Sequence, residues 1–132
     1  MTGAPSILIC DDEADLAGEL GEFFSACGWY AMVHTSAPDA LEALHAGAAP
    51  TCLLTDLRVG HFSGAELVSA TRRLPAGLQP RIYCIMTGHV LDTTEAKDFG
   101  VDLLYVKPID PDLVLNDIQA FLAETYNSPV GE

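Results

Sequence analysis

The sequence has few basic residues. Its 132 residues include six lysines and arginines against nineteen aspartates and glutamates, so the formal net charge is -13. Among the basic residues, only Arg72 and Arg73 are adjacent. Nucleic acids are bound largely through clustered positive charge that neutralises the phosphate backbone. The charge balance therefore argues against direct binding to nucleic acid.

Long apolar runs are also missing. No stretch approaches the ~20 apolar residues of a membrane span, and the N-terminus lacks the basic and apolar regions of a signal peptide. We therefore expect a cytoplasmic location and no membrane partner.

The four cysteines form no Cys-x-x-C pair, so neither a zinc site nor dithiol chemistry is indicated. Free cysteine is among the most buried residue types. We expect all four to be reduced, buried small apolar side chains: Cys10, Cys27, Cys52 and Cys84.

The rest of the composition is that of an ordinary globular domain. Hydrophobic residues make up 49% of the chain and charged residues 19%, and the length suits one domain. We expect this domain to span 1–126. A frayed tail is expected over 127–132, which contains Pro129 and Gly131.

Five short apolar runs alternate with segments of helical spacing. The runs, typical of strands buried on both faces, occupy 6–10, 29–34, 51–55, 81–86 and 103–106. Helical patterns cover 14–27, 36–47, 64–74, 91–99 and the region around 114–122, and a loop is predicted over 57–63. Ser36 is a predicted N-cap. This alternation predicts a doubly wound α/β fold, a five-stranded parallel sheet with five helices on its two faces.

Polar side chains follow four of the predicted strands. Asp11 and Asp12 follow the first, Asp56 the third, Thr87 the fourth and Lys107 the fifth. In open parallel sheets the ligand site lies at the carboxyl ends of the strands, where the strand order reverses. We therefore expect these five side chains to converge in one shallow pocket.

The three carboxylates of this pocket indicate a cation site. Carboxylates so close together repel one another unless positive charge lies among them. A ligand set of oxygen atoms without histidine is typical of Mg²⁺, which also recruits oxygens from phosphorylated substrates. The sequence therefore predicts Mg²⁺ as the cofactor.

Four segments in this order resemble the signature blocks of response-regulator receiver domains, the CheY-like modules of two-component signalling. These segments are 7–13 (ILICDDE), 53–56 (LLTD), 86–88 (MTG) and 106–108 (VKP), and Gly64, eight residues after Asp56, also fits the family pattern. The resemblance extends from Ser6 to about Glu124. It implies a flavodoxin-like strand order 2-1-3-4-5 and a phosphoryl-accepting signalling module, with at most slow self-dephosphorylation rather than enzymatic turnover.

The resemblance also implies a role for each site residue. It makes Asp56 the phosphoryl acceptor and a metal ligand, Asp12 a direct metal ligand and Asp11 a second acidic ligand. The main-chain carbonyl of Arg58 would complete the metal shell.

Thr87 and Lys107 would contact the new phosphoryl group, the former by a hydrogen bond and the latter as an ion pair. Implied partners are a histidine kinase or phosphotransfer protein as donor, and a downstream protein or a separate output domain as receiver of the signal. A phosphorylation-dependent dimer is a further expectation.

Two positions depart from the family pattern. Gly60 stands where many receivers have proline, which should loosen the loop after Asp56. Leu104 stands where the family usually has an aromatic switch residue, and the next residue, Tyr105, should point to the opposite face of its strand.

Arg58 and His89 should flank the path of an attacking water and slow loss of the phosphoryl group.

The residues favour or oppose three other functions. Gly60 and Leu104 also suit an interaction module that kept the fold and works without phosphorylation. A haloacid-dehalogenase-type hydrolase using Asp56 as nucleophile would need a second acid at position 58, which is Arg58. A flavin-binding protein of this topology would need a phosphate-binding loop rich in Ser and Thr after the first strand, where the chain is acidic.

Overall fold

A computed structural model describes residues 3–88 and 99–126. The strands are β1 (Ser6–Cys10), β2 (Tyr30–His34), β3 (Cys52–Asp56), β4 (Arg58–Val59), β5 (Phe62–Ser63), β6 (Ile82–Thr87) and β7 (Leu103–Val106). The helices are α1 (Ala14–Ala26), α2 (Ala37–His45), α3 (Gly64–Thr71) and α4 (Pro111–Tyr126), with a 3-10 turn at Ala76–Leu78.

Five of the strands form one parallel sheet in the order β2-β1-β3-β6-β7, and β4 and β5 form a separate antiparallel hairpin. Counted along the main sheet, this order is the predicted 2-1-3-4-5, which is confirmed. β3 lies at the centre and is buried at all five positions. The strand order reverses between β1 and β3, which is where a ligand site is expected.

Helices cover both faces of the sheet, as predicted. On one face Leu20 and Phe24 of α1 and Ile118 of α4 pack against Ile7 and Ile9 of β1. On the other face Leu44 of α2 and Val68 of α3 pack in a second buried cluster that contains Leu8 and Cys10 of β1. Successive residues of β1 thus enter opposite cores, because side chains alternate along a strand.

Local signals explain several boundaries. The predicted N-cap is confirmed, since the Ser36 hydroxyl accepts a hydrogen bond from the Asp39 N–H at 3.2 Å. The third helix ends at Thr71, before the predicted end at residue 74. Here Arg73 and Leu74 donate their N–H groups to carbonyls three residues earlier, so the chain tightens out of α-helical geometry.

Two further expectations meet different outcomes. The predicted loop over 57–63 is wrong in part, because the backbone pairs Val59 with Phe62 in the β4–β5 hairpin. The helix predicted over 91–99 falls almost entirely outside the described residues, as does the tail over 127–132.

The cysteine prediction holds at three of four positions. Cys10, Cys52 and Cys84 are buried free thiols. Cys27 is also a free thiol but is exposed, because it caps the C-terminus of α1 beyond the last buried turn of that helix. Within the described ranges, no helix has both the length and the apolar character that crossing a membrane requires.

Candidate functional site

Three carboxylates meet at the carboxyl end of the sheet. Asp11, Asp12 and Asp56 each bring one carboxylate oxygen within 4.8 Å of the others. They meet because β1 and β3 are adjacent and parallel, with Cys10 in register with Thr55. Asp56 is the last residue of β3 rather than the first residue after it, a boundary difference of one position.

Lys107 joins this cluster from the segment after β7. Its Nζ lies 2.9 Å from Asp11 Oδ2 and 3.4 Å from Asp56 Oδ2. The backbone holds the lysine in place, since the Lys107 N–H donates to the Thr87 carbonyl at 2.8 Å. Thr87 ends β6 and is buried beside the same site. The structure therefore brings the five predicted side chains to one edge of the sheet.

Asp11 is fully buried, and both of its oxygens are hydrogen-bonded. Its Oδ1 accepts from the Glu13 N–H at 2.9 Å, and its Oδ2 accepts from the Lys107 ammonium. A buried carboxylate is tolerated only when it is paired and hydrogen-bonded in this way. Asp11 therefore acts as the fixed anchor of Lys107.

Asp12 is exposed and contacts the β4–β5 hairpin. Its Oδ2 accepts a hydrogen bond from the Gly60 N–H at 3.1 Å. Gly60 has a φ of 63°, a conformation that glycine adopts without steric cost. Proline, the usual family residue, has no N–H and could not make this bond. The glycine that replaces the usual family proline therefore makes a specific hydrogen bond, which links the loop to Asp12.

The main-chain carbonyl of Asp56 is fixed by two neighbouring residues. Its carbonyl oxygen accepts from the Thr55 hydroxyl at 3.0 Å. Gly64 packs so closely against that carbonyl that a Cβ at this position would overlap it. The Gly64 N–H also donates to the Leu57 carbonyl at 2.6 Å. The resemblance pointed to Gly64, and this close approach is the physical reason for a glycine there.

A cavity of about 290 Å³ opens beside Asp56. Its lining residues are Glu13, Asp56, Leu57, Arg58, Thr87, Gly88 and Lys107. Arg58 is exposed at this cavity. Its carbonyl as a metal ligand stays a prediction, and His89 lies outside the described residues.

Glu13 is a site residue that the sequence analysis did not assign. Its Oε1 lies 2.7 Å from Lys107 Nζ, although 64% of its side chain is exposed. The signal was present in the sequence, since Glu13 is the third consecutive acid after the first strand. A run of acids at a helix start is equally typical of a solvated terminus, so the run by itself did not distinguish this contact.

Burial and the neighbouring charges shift the pKa values of Asp56 and Lys107. Burial, and after it the Asp11 carboxylate, raise the pKa of Asp56, while Lys107 opposes them in part. Burial by itself lowers the pKa of Lys107, but its bonds to Glu13 and Asp11 outweigh burial, so the pKa lies above its usual value. The lysine is therefore positively charged at neutral pH, whereas ionisation of the Asp56 carboxylate carries an energetic cost.

The raised pKa of Asp56 predicts a pH effect on stability without divalent metal. A proton bound more tightly in the folded chain stabilises the fold at low pH, and this stabilisation is lost as pH rises through the folded pKa. Above about pH 4, the usual aspartate value, the wild type should therefore lose stability relative to Asp56→Asn. Urea unfolding of both proteins in a chelator across this pH range measures it, and parallel pH profiles would contradict it.

Leu104 and Tyr105 lie on opposite faces of β7, as predicted. Leu104 packs in the core on the α2 and α3 side, whereas Tyr105 packs in the core on the α1 and α4 side. The Tyr105 hydroxyl donates to Asp117 Oδ2 of α4 at 2.8 Å. The aromatic ring at this strand is thus held against the last helix.

The donor chemistry of the three carboxylates fits Mg²⁺. Asp11, Asp12 and Asp56 offer oxygen atoms to a shared point, and hard divalent cations prefer oxygen ligands. The open cavity beside Asp56 leaves room for the waters that Mg²⁺ commonly retains and for the phosphoryl oxygens that it binds.

Comparison with known proteins gives a consistent result. The family model described as "Response regulator receiver domain" matches residues 7–119. The two-component response regulator PprB of Pseudomonas aeruginosa is 26% identical over 116 residues, which cover 86% of this chain and 42% of that protein. The chain thus spans less than half the length of this relative.

Solved structures share the fold. A CheY-like receiver domain protein from Methanospirillum hungatei has a TM-score of 0.80 at 20% identity, covering 94% of this chain and 98% of its own. The chemotaxis response regulator CheY4 of Vibrio cholerae has a TM-score of 0.76 at 20% identity, covering 89% of this chain and 98% of its own.

Proposed function

The chain belongs to the response regulator receiver domain family, and from that membership we propose that it accepts a phosphoryl group on Asp56 from a phosphohistidine donor. The observation that carries the proposal is the position of the Asp56 carboxylate. It lines an open cavity, 3.4 Å from the Lys107 ammonium and within 4.8 Å of two further carboxylates.

The chain's own residues can perform the transfer. A carboxylate oxygen of Asp56 forms a bond to phosphorus while the bond from phosphorus to the donor nitrogen breaks, and that nitrogen keeps the electron pair. Lys107 then offers its ammonium to a phosphoryl oxygen, and the Thr87 hydroxyl offers a hydrogen bond. The product is an acyl phosphate, which makes the protein a phosphoacceptor in this proposal. The family resemblance adds the expectation of at most slow self-dephosphorylation.

Mg²⁺ is the cofactor of this proposal. Asp11, Asp12, Asp56 and the main-chain carbonyl of Arg58 would hold it, and its charge would offset that of the phosphoryl oxygens. The Gly60 N–H donates only to Oδ2 of Asp12, so Oδ1 is available to serve as a ligand.

The proposed partners follow from the family. A histidine kinase or a phosphotransfer protein supplies the phosphoryl group in the cytoplasm. The signal passes to a downstream protein or an output domain, or to a second copy in a phosphorylation-dependent dimer. PprB is more than twice as long as the matched region.

A small phosphodonor tests the proposal directly. Incubation with phosphoramidate and Mg²⁺ should add one phosphoryl group, detected by intact mass. Asp12→Ala should weaken Mg²⁺ binding and slow the reaction, and a chelator should stop it, since Asp12 supplies ligand oxygens to the proposed site. A wild type that gains no phosphoryl group from phosphoramidate or from a phosphohistidine donor would overturn the proposal.

A second candidate is an interaction module that works without phosphorylation. The observation that favours it is Tyr105, which is hydrogen-bonded to Asp117 and sits one position after the usual aromatic switch site. Amide hydrogen exchange separates the two functions. Exchange that is identical with and without the phosphoryl group would favour this second candidate, whereas protection that changes beyond the site favours a switch.

The lifetime of the phosphoryl group gives a further prediction. Arg58 lines the cavity beside Asp56. We expect its guanidinium, together with His89, to obstruct the in-line water that hydrolysis needs. Arg58→Asn/His89→Glu should therefore lose the phosphoryl group faster than the wild type, as followed by the decay of the intact-mass adduct. If the double variant decays no faster, the blocking argument is wrong.

A further inference from the structure

Glu13 has no role in the proposed phosphoryl transfer. It lies at the mouth of the cavity beside Asp56, and most of it is exposed to solvent. At the same time its carboxylate is the nearest acid to Lys107 Nζ, at 2.7 Å against 2.9 Å for Asp11 and 3.4 Å for Asp56. Glu13 therefore lies at the solvent-exposed entrance of the site and also contacts the Lys107 ammonium.

These two contacts have the same consequence for an incoming phosphoryl donor. A negative charge at the entrance repels an anionic donor, most strongly one that carries two charges. The ion pair with Glu13 also occupies the ammonium that the phosphoryl oxygens require, and this pair must loosen before Lys107 can move to them. Both effects oppose phosphorylation by small, highly charged donors.

We propose that Glu13 is a specificity-determining residue that holds Lys107 and selects against dianionic small-molecule phosphodonors, namely acyl phosphates. The inference rests on the proposed function of Asp56. A protein donor differs in kind, because the imidazole of its phosphohistidine leaves as a neutral group when the other ring nitrogen carries a proton. Its docking surface can also offset the charge of Glu13. Glu13 thereby favours transfer from a protein over transfer from free acyl phosphates.

The test compares two donors of different charge. Acetyl phosphate is dianionic at neutral pH, and phosphoramidate is monoanionic. In both reactions a carboxylate oxygen of Asp56 bonds to phosphorus. The P–O bond to acetate breaks in the first, and the P–N bond to ammonia breaks in the second. The measured quantity is the rate constant with acetyl phosphate divided by that with phosphoramidate. Both are obtained from intact mass at saturating Mg²⁺.

Glu13→Gln should raise the rate with acetyl phosphate about two- to fivefold, the range expected from one exposed ion pair, and raise the rate with phosphoramidate less. The ratio therefore rises. The gain should shrink in 1 M salt, where the Debye length is only about 3 Å. A merely structural role for Glu13 would change both rates alike and would not respond to salt in this way.

Asp15→Asn is the matched control. Asp15 is an exposed acid two residues further along, in the first turn of α1, and it is not among the residues that line the cavity. This variant removes the same charge but should leave the donor ratio unchanged. A ratio unchanged in Glu13→Gln, or raised equally in Asp15→Asn, overturns the inference.

The outcomes also separate this inference from the proposed function. If the wild type gains a phosphoryl group but Glu13→Gln keeps the wild-type ratio, only the role of Glu13 fails. If the wild type gains none from either small donor or from a phosphohistidine protein, the proposed function fails, and the role of Glu13 fails with it.

Discussion

Asp56→Asn is expected to abolish the phosphoryl adduct formed with acetyl phosphate and Mg²⁺. An amide is a far weaker nucleophile than a carboxylate and cannot form the acyl phosphate, whereas every other group of the site is retained. Asp56 lines the cavity and lies beside Lys107, so the substitution removes the carboxylate that is proposed to attack a donor there. Intact mass spectrometry after a fixed incubation measures the loss.

Two measurements guard this prediction against misinterpretation. The variant should fold, and without metal at neutral pH it should be at least as stable as the wild type, because burial disfavours the Asp56 charge that is removed. Asp112→Asn changes an exposed aspartate in the first turn of α4 and should keep the full adduct. A complete phosphoryl adduct on the Asp56→Asn protein would show that another residue is the acceptor.

Gly64→Ala is expected to have the largest effect on stability. The added Cβ would overlap the carbonyl oxygen of Asp56, which is backbone at the end of the central strand and cannot rotate away. Overpacking of this kind costs about 1–3 kcal/mol or more, and we expect the upper end because the atom that must shift belongs to the main chain. Urea unfolding measures the loss, and phosphorylation should slow as well because Asp56 is displaced.

A second helical glycine supplies the control for this substitution. Gly18 lies within α1, and a Cβ there would meet no atom within 4 Å. Gly18→Ala should therefore raise the free energy of unfolding by about 0.5–1 kcal/mol through helix propensity alone. If Gly64→Ala behaved like Gly18→Ala, the close contact behind Asp56 would not limit the residue at this position.

Much of the site was predictable because a parallel sheet imposes a simple rule. Adjacent parallel strands end on the same side, and the strand order 2-1-3-4-5 that the resemblance implies makes the first and third strands adjacent, so the acids at their ends must be neighbours. Given that order, Asp11, Asp56 and Lys107 needed only correct strand ends to be placed together, and errors of one residue at those ends did not matter. The two faces of the sheet followed from side-chain alternation in the same way, down to the opposite placement of Leu104 and Tyr105.

Other contacts depend on tertiary structure that periodicity does not encode. The β4–β5 hairpin is only two residues long on each strand, which is too short for an alternating pattern to predict. The bond from the Gly60 N–H to Asp12 joins residues 48 positions apart through a backbone donor that every non-proline residue carries. Glu13 reaches Lys107 through a long flexible side chain, whose direction a sequence pattern does not specify.

The bond from Tyr105 to Asp117 bears on how often the last strand and the last helix change their arrangement. A hydrogen bond to a charged acceptor is worth about 1.5–3 kcal/mol. An alternative conformer in which the ring swings away from α4 forfeits this energy, so its population falls about 10- to 150-fold relative to a ring without the bond. The conformational equilibrium at this end of the sheet is thus weighted toward a single state, and a signal carried by ring rotation would have to supply that energy before any population shifts.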